Sequence, residues 1–348
     1  MNRSRRNILK LFGATTFLGA DCFGRAAYAV ADSYSYSWRN GQPLDTPTQE
    51  IYPAVFDGEI YVGGGFVLDD DPIFFGLSPS NSISIYNPVA KSWRYGNPLP
   101  EPRHHLGMAS SENFLYGIGG FSGVKGNAWQ AKSDVFRFSS EKEEWEIGPP
   151  LPAPMAESVY ATNNGNIHVI GGKTVGINSQ LNVDTKNHFV LFNDKYWEKA
   201  APATVSRNSA ASAVLDGKIF VVGGRISGKA SKNLKFSEFY SIDDDRWEPF
   251  RPFPIALAGL AAVALNGKIF VSGGEAFGAN GNWRTGKAFR QVWSYDLVKD
   301  TWEKELDMPE PRHGHGAVVI ENSMFIIGGG SKVGPQETLS SLLVLQSA

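Results

Sequence analysis

Apolar and polar positions alternate in short runs along this chain, and beyond residue 30 they never settle into a helical period. Residues 207–247 show the unit. A small apolar run over 209–215 meets Asp216-Gly217, a two-residue hairpin turn, and a β-branched run over 218–222 ends in Gly223-Gly224. A loop leads to a third run over 237–242, a polar turn over 243–245, and a fourth run opened by Trp247. Asp57-Gly58, Asn164-Gly165 and Asn266-Gly267 repeat the tight-hairpin chemistry. The unit recurs at a fixed interval: a tryptophan is followed 26 residues later by a glycine pair at Trp38/Gly64, Trp93/Gly119, Trp145/Gly171, Trp197/Gly223, Trp247/Gly273 and Trp302/Gly328. In the first and last of these a third glycine leaves a choice of one residue.

Four antiparallel strands per period, repeated six times, predict an all-β, six-bladed propeller. After Gly328-Gly329 the chain offers one more strand, over 340–346, and stops without a Trp strand, while the segment around Trp38 is a Trp strand with no blade before it. The N-terminal strand is therefore expected to complete the last blade and close the ring without an exposed edge. The interval from glycine pair to the next Trp runs 29, 26, 26, 24 and 29, so length varies only after the glycines. Calling the strands a to d from the centre outward, that variation falls in the b–c loop or the c–d turn. The b–c stretches are long, and long loops on a rigid scaffold are where binding usually sits. The face where the glycine pairs end is the expected functional face.

Glycine pairs after β-branched strands, a third-strand aromatic (Tyr86, Phe138, Phe192, Tyr240, Tyr295) and a Trp several residues on resemble the kelch motif, over essentially all of the chain beyond residue 30. The resemblance implies a kelch propeller in which the Gly and Trp residues are structural.

The first 29 residues read as an address. Ser4-Arg5-Arg6-Asn7-Ile8-Leu9-Lys10 precedes a moderately apolar run to Ala20, and Ala27-Tyr28-Ala29 is an A-x-A cleavage site. This segment resembles a twin-arginine translocation signal, which implies a periplasmic protein starting at Val30 and forming one domain over 30–348. The run is too short to span a bilayer comfortably, so no stable membrane insertion is expected. The signal carries Arg3, Arg5, Arg6, Lys10 and Arg25 against Asp21, a net +4; the whole chain is −2, so the remainder is −6. With no basic run, nucleic acid and anionic membranes are poor partners. Cys22 is the single cysteine and lies in the signal, leaving the mature part without a disulfide, a thiolate metal site or a cysteine nucleophile.

Two sets of residues are expected to ring the channel mouth on the glycine-pair face. Phe66, Phe121, Lys173, Arg225, Glu275 and Ser331 follow the glycine pairs; Arg103-His104-His105, Glu157, Arg207-Asn208 and Arg312-His313 open the innermost strands. From these, Arg103, His104, Glu157, Lys173, Arg207, Arg225, Arg312 and His313 are the candidate ligand-binding residues. Arginine forks and glutamates suit a carbohydrate or a small anionic ligand. An arginine at the start of an innermost strand also has a structural use, pairing with neighbouring backbone. No cofactor is expected. Nor is a metal site: His313 and His315 share a strand side, but no third ligand has a recognisable spacing. Asp69-Asp70-Asp71 lacks the spacing of a calcium loop.

Three functional classes are in play. Copper radical oxidases of the galactose oxidase type share the propeller but need a cysteine crosslinked to tyrosine, which the mature part lacks; no nucleophile elbow for a serine hydrolase is visible either. Binding of a ligand, or of another exported protein, through the glycine-pair face is the leading expectation. The stretch 67–80, with an acidic tip beside Ile73-Phe74-Phe75, is either a partner surface or a lid. The enzymatic alternative is a resemblance to bacterial N-acetylneuraminate mutarotases, which implies Glu275, after Gly273-Gly274, and Arg284, of Arg284-Thr285, as the catalytic pair. The spacing between them is several residues longer than that family's.

Overall fold

The computed structural model describes residues 35–177, 181–228 and 231–347. The expected signal over 1–29 and its cleavage site lie outside the described residues. Six antiparallel sheets of four main strands follow one another, the fifth with a short extra strand at Lys287–Ala288. The fourth holds Ala211–Leu215, Lys218–Val222, Ser237–Ser241 and Arg246–Pro249, in the order read from the sequence. The innermost strand of each blade neighbours the next, and that of the sixth blade (Gly316–Ile320) neighbours that of the first (Ala54–Phe56). Tyr36–Asn40 pairs with Leu342–Ser347, placing Trp38 opposite Leu345, so the N-terminal strand completes the sixth blade. Removing residues up to 41 would bare the Leu342–Ser347 edge; such a chain is expected to self-associate, with higher-order species by light scattering where the intact chain has none.

The glycine pair is an inter-blade clasp. The second glycine of each pair donates its N–H to the backbone carbonyl ten residues after the next blade's preceding Trp: Gly65 to Arg103, Gly120 to Met155, Gly172 to Arg207, Gly224 to Leu257, Gly274 to Arg312 and Gly329 to Thr48, at 2.7–2.9 Å. The same carbonyl lies so close to the first glycine that a Cβ on Gly119 would sit 2.2 Å from Met155 O, in a left-handed backbone with φ +57°. Only glycine fits there. The tryptophans form a second belt. Each indole N–H donates to a backbone carbonyl of the previous blade, Trp93 to Gln42, Trp145 to Asn97, Trp197 to Pro149, Trp247 to Ala201, Trp302 to Arg251 and Trp38 to Leu306.

Two details differ from the sequence reading. Phe192 is not the third-strand aromatic facing Trp197: the turn to Tyr196–Lys199 is one residue shorter than its counterparts, so Leu191 takes that register position. The b–c stretches are also not free loops. Most continue as two-stranded ribbons, such as Phe121–Val124 with Asn127–Ala131 and Lys173–Val175 with Asn182–Asp184. Among the described residues, no helix is long and apolar enough to cross a membrane.

Candidate functional site

Counting from the same tryptophans builds the site. Eleven residues after each Trp, one residue pairs antiparallel with the residue just past the glycine pair: Gln49 with Phe66, His104 with Phe121, Ala156 with Lys173, Asn208 with Arg225, Ala258 with Glu275 and His313 with Gly330. Gly330, rather than Ser331, is thus the sixth equivalent. Twelve residues after each Trp, the chain turns through a left-handed residue: Glu50, His105, Glu157, Ser209, Gly259 and Gly314, all with φ between +51° and +63°. Their backbones link around the axis, with Glu50 N–H donating to Gly314 O, His105 to Glu50, Ser209 to Glu157, Gly259 to Ser209 and Gly314 to Gly259. Four of the six are not glycine, and each such residue costs on the order of 1–3 kcal/mol of backbone strain, a cost that clusters at functional sites.

This ring is a septum across the channel. Below it lies a cavity of about 90 Å³ reaching Tyr52, Tyr160 and His315. Above it, on the glycine-pair face, a cavity of about 150 Å³ opens between the ribbons. Its floor is Glu50, His105, Glu157, Ser209 and Gly259; its walls include Phe66, Phe74, Trp129, Phe277 and Trp283, with Arg225 and Glu275 to one side. The blade-one stretch reaches over the mouth, where the Phe74 ring meets Trp129 at 5.2 Å and Phe75 meets Trp283 at 5.7 Å. That segment covers part of the mouth. At its acidic tip Asp71 pairs with Lys125 at 3.1 Å, both side chains exposed.

The floor is strongly polarised. His105 Nε2 donates to Glu50 Oε2 at 3.0 Å and lies 3.8 Å from Glu157 Oε1. Its Nδ1 is 2.7 Å from His104 Nδ1, and His104 Nε2–H donates to Ala128 O at 2.9 Å. The Ala128 carbonyl fixes the His104 tautomer, leaving His104 Nδ1 as acceptor and His105 carrying both protons. Burial works to raise the Glu50 carboxyl, but the facing His105, with His313 and His104 behind it, lowers it to about 2. Burial opposes the His105 charge, yet Glu50, Glu157 and Glu275 outweigh burial and raise it above the ordinary imidazole value. Burial, reinforced by the His105 charge, pushes His104 well below that value. Beside this pair, Arg225 Nη2 holds Glu275 Oε1 at 2.6 Å and its guanidinium lies 3.7 Å from the Phe277 ring centre. His313 Nδ1 sits 3.5 Å from Glu275 and 3.6 Å from Glu50, while its Nε2–H donates to Lys332 O.

Of the sequence candidates, Glu157, Arg225 and Glu275 line the cavity. His104 and His313 stand immediately behind it. Arg103, Arg207 and Arg312 do not reach it. Their side chains are fully or almost fully buried: Arg103 on Glu101 and Asp134, Arg207 on Glu238 and two carbonyls, Arg312 on Glu310 and two carbonyls. Lys173 is spent on Asp184 and Ser227 between two ribbons. Arg284 lies at the rim, its guanidinium 4.5 Å from the Trp283 ring. Sequence reasoning placed Phe66 at the mouth and Phe74 in the 67–80 stretch but missed Gln49, Glu50, Ser209 and the walls Trp129, Phe277 and Trp283, though the count of twelve from each Trp marks the floor. Among the described residues, no group of three or more His, Cys, Asp or Glu is arranged to hold a metal ion.

The family described as KLHDC2/KLHL20/DRC7 Kelch-repeats domain matches residues 158–347, and the Kelch motif matches 102–152. The chain belongs to the kelch-repeat family. This kelch propeller is 27% identical over 296 residues to the Kelch-like protein terF of Aspergillus terreus (strain NIH 2624 / FGSC A1156), covering 84% of this chain and 63% of that protein. It is 28% identical over 173 residues to Kelch repeat and BTB domain-containing protein 1 of Cowpox virus (strain GRI-90 / Grishak), covering 49% of this chain and 28% of the relative. The chain thus spans less than two thirds of either curated relative. Among solved structures, "Structure of YjhT" superposes with a TM-score of 0.72 at 16% identity, covering 88% of this kelch propeller and 99% of that chain. That likeness is one of fold.

Proposed function

We propose that this propeller binds a carbohydrate, one ring at a time, in the mouth cavity. The observation that carries the reading is the pairing of aromatic walls with a floor of carboxylates: Trp129, Phe74, Phe277 and Trp283 offer apolar faces, and Glu50, Glu157 and Glu275 offer acceptors for hydroxyl groups. A cavity near 150 Å³ is of the size that holds one six-membered ring. The guanidinium of Arg225 is already engaged by Glu275, which favours a neutral sugar over an acidic one. Export through the twin-arginine route to the periplasm, with residues 1–29 as signal, belongs to the same proposal.

The catalytic form of this reading is mutarotation of a sialic-acid-like sugar by Glu275 and Arg284. Glu275 lines the cavity, which supports it; the arginine beside Glu275, however, is Arg225. A second reading, docking of another exported protein on the same face, is favoured by the exposed side chains of Leu68, Phe75, Val124, Ile177 and Leu181, all on ribbons of that face.

Calorimetric titration with neutral, amino and acidic monosaccharides tests the proposal. A neutral sugar is expected to bind, and Trp129→Ala, which removes one wall, is expected to weaken binding at least about tenfold, or about 1.4 kcal/mol. Absence of binding by every sugar, alongside a co-purifying exported partner, would favour the docking reading instead.

A further inference from the structure

We propose that the sugar taken by the mouth cavity carries a protonated amine, received by Glu157 between the aromatic walls, so that the site selects an amino sugar over its neutral counterpart. The proposal rests on the sugar-binding reading and names the class of sugar.

The charges of the lining carry it. Three carboxylates, Glu50, Glu157 and Glu275, share the cavity with two cationic groups, His105 and Arg225. Both cations are committed to the other two carboxylates. His105 donates from Nε2 to Glu50 and from Nδ1 to His104, so it has no N–H left to give. Arg225 holds Glu275 through Nη2 at 2.6 Å and Asn233 through Nε at 3.0 Å. His313, behind the floor, lies against Glu275 and Glu50. Lys173 pairs through its backbone with Ala156, next to Glu157, but its ammonium donates to Asp184 at 3.1 Å and Ser227 at 2.6 Å.

Glu157 is the carboxylate left over. Its side chain is 8% exposed, and among the described residues the one cationic group within 4 Å of it is His105, at 3.8 Å. The single Ser209 hydroxyl proton is shared between Glu157 Oε2 at 3.3 Å and Asn208 Oδ1 at 2.9 Å. His105 and Ser209 both belong to the floor, so the carboxylate between them stands at the cavity. A buried carboxylate without its own cation is unfavourable unless a ligand brings one.

The walls favour the same charge. Phe74, Trp129 and Trp283 line the cavity with rings whose negative faces attract cations. The site already holds one cation in this way, since the Arg225 guanidinium lies 3.7 Å from the Phe277 ring centre. A sugar hydroxyl would give Glu157 a hydrogen bond but leave its charge uncompensated. An ammonium supplies both, and the Ser209 oxygen has lone pairs for a second N–H. An amine replaces a hydroxyl atom for atom, so the space of about 150 Å³ serves either sugar.

The experiment is calorimetric titration of the full chain with glucosamine, glucose and methylammonium at neutral pH, where the sugar amine, like an α-amino group, is mostly protonated. Glucosamine is expected to bind at least about tenfold more tightly than glucose, the margin of a charge-assisted hydrogen bond over a neutral one. Methylammonium, which lacks the ring, is expected to bind more weakly than glucosamine. In Glu157→Gln, which keeps the shape of glutamate without its charge, the preference for glucosamine over glucose is expected to vanish. Equal binding of the two sugars to wild type would overturn this proposal while leaving the binding reading intact, and it needs no variant to fold. A preference that survives in Glu157→Gln would overturn it as well. Methylammonium binding as tightly as glucosamine would mean a site for the bare cation and overturn the choice of an amino sugar. Failure of every sugar to bind would overturn both readings.

Discussion

Replacing Glu238 by Ala is expected to destabilise the propeller by about 3–5 kcal/mol, the cost of leaving a buried charge unpaired. The Arg207 and Glu238 side chains are 2% and 0% exposed and meet at 2.7 Å. Arg207 also donates to Gly223 O and Phe236 O, and Glu238 accepts from the Thr204 amide and hydroxyl. Burial lowers the Arg207 guanidinium to about 10 despite the opposing Glu238 charge, yet it remains a cation at neutral pH. Asp134→Ala provides the contrast. Its partner Arg103 is equally buried, but Asp134 is itself 49% exposed and Glu101 remains on the same guanidinium. Its loss is expected to cost no more than about 1 kcal/mol. Urea midpoints of the two variants measure the difference. Equal shifts would mean that the burial of the carboxylate does not set the penalty. Arg207 does not line the mouth cavity, so the folded fraction of Glu238→Ala is expected to keep wild-type sugar affinity.

That contrast also explains what could be read before the structure and what could not. The blades, their number and the closing strand follow from Trp38 to Gly328 because those residues make contacts that recur with the repeat: one indole bond and one glycine clasp per blade. The face that carries the mouth cavity follows from where loop length is free to vary. The arginines were misleading for a local reason. A positive charge at the start of a strand looks like a ligand, and its neutralising partner can lie far along the chain, as Asp134 and Glu238 do. Part of the floor was hidden by the opposite problem. His105 and Glu157 were placed at the mouth by their position at the start of an innermost strand, but left-handed positions announce themselves as Gly, Asn or Asp, and Glu50 and Ser209 are none of these. Only the tryptophan count exposes them. The stretch 67–80 was legible as a lid or a partner surface; Phe74 against Trp129 lays it over the mouth, while Leu68 and Phe75 stay exposed.

Stability is expected to fall between about pH 6.5 and pH 4.5, before ordinary carboxylates titrate, because several histidines are buried neutral. His168 Nδ1–H donates to His188 Nε2 at 2.9 Å, and His188 Nδ1–H donates to Ala201 O at 3.1 Å; the pair lies within the third blade and its contact with the fourth. Burial, with the neighbouring His188, lowers His168 to about 3. Burial lowers His188 to about 4 against the pull of its Ala201 bond. Burial and the Arg312 charge lower His315 to about 3. A depressed folded value means that the unfolded chain takes up the proton first, so the contribution of each is complete above about pH 6.5 and is lost as pH falls toward its folded value. The ideal slope is about 1.4 kcal/mol per pH unit per group, large beside a net stability of about 5–15 kcal/mol. His105 does not offset it, since its raised value keeps it protonated in the folded state throughout and the unfolded imidazole is itself protonated over most of that range. The lowered Glu50 adds its own loss only at more acid pH. Stability measured by urea titration at half-unit pH steps gives the proton count directly. His168→Gln, which retains a donor toward His188, is expected to remove about one proton from that slope; a wild-type slope below one proton would mean that these imidazoles are not held neutral by the fold.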